Sequence, residues 1–260
     1  MRRTLEPAFI DADNRREPPL CEEAPITIVV NDREVATLLC TPSDLRELTA
    51  GWLFAEGLIE SAAEVVSLAG CAHDRVMLVR TTPDRVAGDG RWRLVTSGCG
   101  GGANPTALAT AEIPRVRGEA SLTLAQLRGF MSDMLRGARL YRLTGGVHSA
   151  ALAGAQGVLV QREDVGRHNA VDKVIGHRLL SGDSCEGLAL LSTGRLSSEM
   201  VWKAARAGIA IAASLSVPSA MARDMAAAAG ITLVGRTLAP APRVYTHPQR
   251  ILVSPRDEKP

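Results

Sequence analysis

The residue best equipped for chemistry is Cys99, set in Ser97-Gly98-Cys99-Gly100-Gly101-Gly102 directly after a strand-like run from Arg91 to Thr96. Glycines on both sides leave the sulfur accessible. They also let backbone N–H groups converge on an anion, which favours the thiolate, the form that attacks disulfides and persulfides. A flexible linker with an incidental cysteine fits less well, because linkers mix serines and acids rather than centring glycines on one thiol. Three further segments gather polar groups. Thr144-Gly145-Gly146-Val147-His148 is a glycine turn leading into a histidine, which taken alone reads as a structural imidazole. Arg162 to Asn169 follows a strand and opens a helix, placing Arg167 and His168 where backbone donors meet an anion. Ser192 to Glu199 holds the same position after the next strand, with Thr193, Gly194 and Arg195 in its turn. Near the end, Tyr245, Thr246, His247, Pro248, Gln249 and Arg250 place an aromatic ring, an imidazole and a guanidinium together. These suit a base and its phosphates, although a surface tail can hold them by chance.

Several chemistries lack their residues. No glycine loop carries the lysine of a nucleotide-hydrolysing P-loop, and no G-x-G-x-x-G opens a helix. Asp164, His168 and Asp172 stand four apart like metal ligands, but a capping aspartate with a solvated helix face behind it explains them more simply. No permanently bound metal is expected. The zinc deaminase pattern needs H-x-E and P-C-x-x-C, whereas this chain has His148-Ser149-Ala150 and Pro218-Ser219-Ala220-Met221.

The elements that must position these residues are legible in outline. From Ile26 to Cys40, two β-rich runs flank Asn31-Asp32 and predict a hairpin. Thr41-Pro42-Ser43-Asp44 predicts a helix capped by Thr41, with Pro42 at its first position, running to Glu56 and stopping at Gly57. Strands are expected at Glu64–Leu68, Arg75–Thr81 and Arg91–Thr96. Thr123 caps a helix with Leu124, Leu127, Met131, Met134 and Leu135 at helical spacing. The second half alternates strand runs (Gly157–Gln161, Leu188–Leu191, Ile209–Ser214, Ile231–Val234) with helices, one from Ser197 to Gly208 and one from Pro218 to Gly230. Such alternation predicts a mostly parallel sheet covered on both faces, with ligands at the strand ends.

The 260 residues and 46% hydrophobic content can fill a core without staples. The net charge of +2 gives no electrostatic case for a nucleic-acid partner. Five scattered cysteines without a C-x-x-C pair point to a reducing compartment, and all but Cys99 read as small core residues. No signal-peptide core or membrane-length apolar run appears, so a soluble cytoplasmic protein is expected. Residues 1–22 and 255–260 read as loose tails. Between them lie an N-terminal α+β part, 23–120, carrying the Cys99 loop, and a C-terminal α/β cofactor-binding domain, 121–254.

The motifs GWLFAEGLI at Gly51, TSGCGG at Thr96, TGGVHSA at Thr144, REDVGRHNAVDKVIG at Arg162, STGRLSSEMVWKAARAGI at Ser192 and YTHPQR at Tyr245 closely resemble the FdhD family of formate dehydrogenase accessory sulfurtransferases. The likeness runs in one order over about residues 24 to 253. It implies a protein that takes persulfide sulfur from a cysteine desulfurase and passes it to the bis-guanine-dinucleotide molybdenum cofactor of formate dehydrogenase. Cys99 matches the family's persulfide cysteine, and Tyr245 to Arg250 match a stretch assigned to cofactor binding. The resemblance further implies a homodimer whose C-terminal three-layer α/β domain is similar to cytidine deaminases. One departure is plain: many members read C-G-x-C, and here Gly102 stands at the second cysteine. A disulfide within this loop is therefore excluded, leaving a single-cysteine relay. A non-catalytic chaperone for the same cofactor is the main alternative, and a redox-sensing cysteine protein a distant one.

Overall fold

The computed structural model describes residues 19–71, 73, 75–86, 93–95, 112–118 and 120–253. It is a mixed α/β molecule with two main sheets. The first is five-stranded, ordered β3-β4-β1-β2-β5, and formed by β1 (Ala24–Val30), β2 (Arg33–Cys40), β3 (Val65–Cys71), β4 (Val76–Thr81) and β5 (Arg93–Val95). The β1–β2 hairpin is antiparallel, as its sequence predicts. Asn31 and Asp32 both adopt positive φ, 49° and 66°, the pair of left-handed residues a tight primed turn needs. Alternate residues of β1 (Ala24, Ile26, Ile28, Val30) are buried, and Ile26, Ile28 and Val30 join Leu38, Leu48, Leu53 and Met77 in one apolar cluster.

Helix α1 (Leu45–Ala55) starts later than expected: Asp44, with φ 52°, occupies the N-cap, and Thr41 does not cap it. Thr41 is drawn elsewhere. Its N–H donates to Asp164 Oδ2 at 3.1 Å, and its hydroxyl accepts the Val165 N–H at 3.0 Å. A tertiary contact has replaced the local cap.

The second sheet has six strands in the order β12-β11-β10-β9-β7-β8: β7 (His148–Gly154), β8 (Gly157–Asp164), β9 (Ala189–Ser192), β10 (Ile211–Ser214), β11 (Thr232–Gly235) and β12 (Arg243–Val244). The expectation of a mostly parallel sheet needs correction. Only β9, β10 and β11 run side by side in parallel, whereas β7 pairs antiparallel with both β8 and β9, and β12 with β11. The miss lies in β7, whose Ser149–Ala153 is buried throughout and has no polar alternation to betray a strand.

Helices α4 (Arg167–Leu180), α5 (Ser198–Arg206) and α6 (Ala220–Ala229) link β8 to β9, β9 to β10 and β10 to β11. Each crossover joins parallel strands stepping the same way along the sheet, so right-handed connections put all three helices on one face. Helix α2 (Leu124–Gly137), followed by α3 (Arg139–Thr144), covers the other. Thr123 caps α2 as predicted, with a reciprocal bond from Gln126. Leu124, Leu127, Phe130, Met131 and Met134 are buried, and Leu135 is not among them. Ser219, one residue beyond the expected Pro218 start, caps α6, and Gly230 closes it at φ 77°.

The two sheets are joined through α1 and α4. A Cβ on Gly51 would overlap the Asp172 carbonyl, and one on Gly176 would overlap the Glu47 carbonyl, so the helices cross at backbone contact. Two buried ion pairs flank the crossing. Lys173 Nζ lies 2.8 Å from Asp164 Oδ2 and donates to the Thr41 and Glu163 carbonyls at 3.1 Å; Lys203 Nζ meets both oxygens of Asp172 at 2.6 and 2.7 Å. Outside them, Arg162 grips Glu47 with two bonds of 2.5 and 2.7 Å, and His177 adds a third at 2.8 Å. Among the described residues, no helix is long and apolar enough to cross a membrane.

Candidate functional site

The ends of β8 and β9, together with the start of β7, bring three of the predicted segments side by side. Thr193 follows β9, and its backbone N–H donates to the Ser149 carbonyl at 3.0 Å. Its hydroxyl accepts the Ser149 N–H at 3.1 Å and sits 3.2 Å from His148 Nδ1. The other acceptor within reach of that hydroxyl, the Ser149 carbonyl, is farther at 3.5 Å. A hydroxyl proton given to Nδ1 leaves the ring hydrogen on Nε2, and one given to the Ser149 carbonyl puts it on Nδ1. Burial, then Arg167, lowers the His148 pKa below its ordinary 6.5, so the ring is neutral at working pH.

Gly194 has its own reason to be glycine. A Cβ there would lie 2.9 Å from both Cβ and Cδ of Arg167, whose side chain runs across it. The loop is fixed from below by Ser192, whose hydroxyl accepts the Gly194 N–H at 3.1 Å, and by Ser214, which donates to the Gly194 carbonyl at 2.5 Å. Arg195 is exposed.

His168 is only 5% exposed. Its Nε2 lies 3.0 Å from Ser197 Oγ and 3.3 Å from Glu199 Oε2. Nε2 shares its hydrogen bond with the Ser197 hydroxyl, and Nδ1 is buried with no hydrogen-bond partner among the described residues. Burial, reinforced by Lys203, Arg167 and His148, pushes this imidazole down to about 2. With the ring neutral, the 3.3 Å approach of Nε2 to Glu199 Oε2 is not an ion pair, and the hydrogen bond of Nε2 is the one with Ser197. Burial pushes the Glu199 carboxyl up, while Lys203 and Arg167 pull the other way. Asp164, His168 and Asp172 do not converge: each turns to a different partner, Lys173, Ser197 and Lys203.

Tyr245 to Arg250 are mostly placed elsewhere. Thr246 Oγ1 donates to the Ile231 carbonyl at 2.7 Å and accepts the Leu233 N–H at 2.9 Å. The His247 carbonyl accepts from Thr232 at 2.8 Å, its Nε2 lies 3.0 Å from the Ala227 carbonyl, and Arg250 donates to the Gly230 carbonyl at 2.8 Å. All of these tie the tail to the beginning of β11, the opposite end of the parallel strands from Thr193 to Arg195. Gln249 and Arg250 line a separate cleft of about 410 Å³ with Arg117 and Ser121, and Pro248 is exposed. Tyr245 is the exception, since its ring lies against Gly235 at the far end of β11.

Cys99 lies outside the described residues, as do its flanking glycines. The strand leading to it is described: β5 runs parallel to β2, with Val95 opposite Leu38. Beyond Leu38, β2 reaches Thr41 and its bonds at the start of α4, so β5 heads toward the Arg167–His168 end of the molecule. Cys40 and Cys185 are buried, in line with their reading as core residues. Cys21 departs from it: partly exposed, it donates its S–H to the Gly146 carbonyl at 3.4 Å in the turn before His148. Glu199, Ser197 and Lys203 were not singled out by sequence. An acidic residue in the first turn of a helix after a strand-end glycine was the only signal for Glu199.

Comparison with known proteins matches this arrangement to a family. The FdhD/NarQ family model matches residues 21–252. The chain is 35% identical over 247 residues to the sulfur carrier protein FdhD of Bacillus subtilis (strain 168), covering 90% of this chain and 91% of that one. It is 37% identical over 246 residues to the sulfur carrier protein FdhD of Shouchella clausii (strain KSM-K16), covering 91% of each. A crystal structure from Desulfotalea psychrophila, described as a formate dehydrogenase accessory protein, superposes with a TM-score of 0.76 at 33% identity, over 90% of this chain and 91% of that one. With its strand-end loops, buried histidine and nearly full-length match, the chain belongs to the FdhD/NarQ family.

Proposed function

We propose that this protein is a sulfur carrier required for formate dehydrogenase activity, with Cys99 as the carrying residue. The observation that carries the reading is the likeness over nine-tenths of the chain to proteins named sulfur carrier protein FdhD. In the proposed reaction the Cys99 thiolate attacks the outer sulfur of a cysteine desulfurase persulfide. The donor cysteine leaves as thiolate, and Cys99-S-SH remains. The outer sulfur, its proton released to solvent, then passes to the reduced Mo(IV) centre of the bis-guanine-dinucleotide cofactor, which gives it two electrons and becomes Mo(VI) bearing sulfide, and Cys99 departs as thiolate. No second thiol of the loop takes part, because Gly102 holds that position.

The strand-end loops suit the binding half of this task. His148 in its Nε2–H tautomer, Arg167 and Arg195, with the first N–H groups of α4, supply donors for the cargo's phosphates. Thr193 and Gly194 position two of these side chains, and His168 stays neutral behind them. Tyr245 offers its ring on the same side. Thr246, His247 and Arg250 act in this reading as the fastening of the tail rather than as ligands. A cytoplasmic homodimer that receives sulfur from the desulfurase and delivers it to formate dehydrogenase completes the proposal.

The test is intact-protein mass spectrometry of wild type and Cys99→Ala after incubation with a cysteine desulfurase and cysteine. A gain of one sulfur, about 32 Da, confined to wild type and removed by reductant, is the expected result. If both proteins stay unmodified or both gain sulfur, the relay fails and cofactor chaperoning becomes the better account.

A further inference from the structure

Among the described residues of the strand-end loops, Glu199 is an acidic side chain that no cation grips directly. Its carboxylate meets only the neutral His168, through Oε2 at 3.3 Å, while Oε1 has no hydrogen-bond partner among the described residues. Its neighbour Lys203 is turned away into the Asp172 pair. The side chain is 21% exposed, so solvent reaches part of it. A carboxylate held in this way needs a donor, and its surroundings dictate which kind. Cations for phosphate stand beside it in Arg167 and, farther along the loop, Arg195; Glu199 would repel phosphate and belongs to the other end of a ligand. Neither carboxylate oxygen has a hydrogen-bond partner among the described residues, so both can accept.

We propose that Glu199 reads the ring N–H and exocyclic 2-amino group of a 2-amino-4-oxopyrimidine, the edge common to guanine and pterin, when the cargo lies across the strand-end loops. The inference rests on the carrier reading above and assigns within it the residue that selects the cargo's heterocycle. The two parallel N–H donors of that edge match the two oxygens of a carboxylate, whereas adenine presents no such pair. Buried His168, with Nε2 3.3 Å from Oε2, limits where the carboxylate can move.

Titration calorimetry on the full-length protein with two ligand pairs tests this. GDP is compared with IDP, whose hypoxanthine lacks the 2-amino group, and pterin with lumazine, which carries oxygen in its place. For wild type we expect one pair to differ by about 10-fold or more in affinity, the loss of a hydrogen bond to a charged group. In Glu199→Gln that ratio should fall to within about 2-fold of unity. The pair that responds identifies the source, guanine or pterin. Arg167→Lys should weaken GDP and IDP alike and leave their ratio unchanged. If Glu199→Gln melts too early to titrate, Glu199→Asp keeps the charge, draws the carboxylate back by about one methylene, and should also reduce the ratio. A ratio that persists in the Glu199 variants, or wild type that binds these ligands without discriminating within either pair, overturns the inference alone. Wild type that binds neither GDP nor pterin overturns the carrier reading together with it.

Discussion

The two ends of the parallel strands in the second sheet are built from similar residues and arrive at opposite states. At one end, Thr246, His247 and Arg250 spend their polar groups on the backbone carbonyls and N–H groups around β11. At the other, His148 sits against Thr193, Arg167 runs across Gly194, and Glu199 has no hydrogen-bond partner among the described residues. Threonine, histidine and arginine occur at both ends, so residue type alone does not separate a fastening from a site. What separates them is whether local backbone groups have already satisfied the side chains.

The largest expected effect tests the support of the open end. Lys173→Met leaves Asp164 buried without its cation, and thermal or denaturant unfolding should show a loss of about 3–5 kcal/mol. A loss below about 1 kcal/mol would mean that the pair does not anchor the start of α4. Next, Thr246→Val removes a donor and an acceptor from buried backbone partners and should cost about 1–3 kcal/mol of stability. If GDP affinity fell while stability held, the tail would belong to the site and the contrast between the ends would break. Third, Gly194→Ala forces Arg167 aside by contact at 2.9 Å. Binding of anionic ligands should weaken several-fold, with about 1 kcal/mol or more of destabilisation; unchanged binding would remove Arg167 from the phosphate side.

The smallest expected effect concerns pH. Burial raises the Glu47 carboxyl, but the bonds from Arg162 and His177 outweigh it and hold the pKa below its ordinary 4.5. A depressed carboxylate contributes stability that is present above 4.5 and lost as pH falls through the folded value. Glu47→Gln should therefore flatten the acid limb of the stability profile below that pH and leave neutral behaviour nearly parallel to wild type. An acid limb unchanged in the variant would show that the α1–α4 clasp does not depend on this charge.

Much of this architecture is legible in the chain because it is local. Asn31-Asp32 sets its hairpin, Thr123 with Gln126 caps its helix, and Gly230 ends another. What escapes is set by distant partners. Thr41 looks like a helix cap until Asp164 and Val165 claim it from 123 and 124 residues away. β7 hides because a strand buried on both faces shows no alternation. The glycine turns and Arg167-His168 stand out as a site by composition, yet Glu199 becomes conspicuous only when a buried, neutral imidazole is found beside it. Tyr245 to Arg250 stand out by composition in the same way, and the sequence does not show that Thr246, His247 and Arg250 also bond to the backbone around β11.

The crossing of Gly51 with Gly176 has a mechanical consequence. Two helices in backbone contact, pinned on either side by buried ion pairs, leave no side-chain layer that could slide or tilt, so the five-stranded and six-stranded sheets move as one body. Rearrangement among the described residues must then come from loops at the rim and not from a hinge between the sheets. A single methyl group at either glycine would act as a wedge, prising α1 from α4 and with them the first sheet from the second.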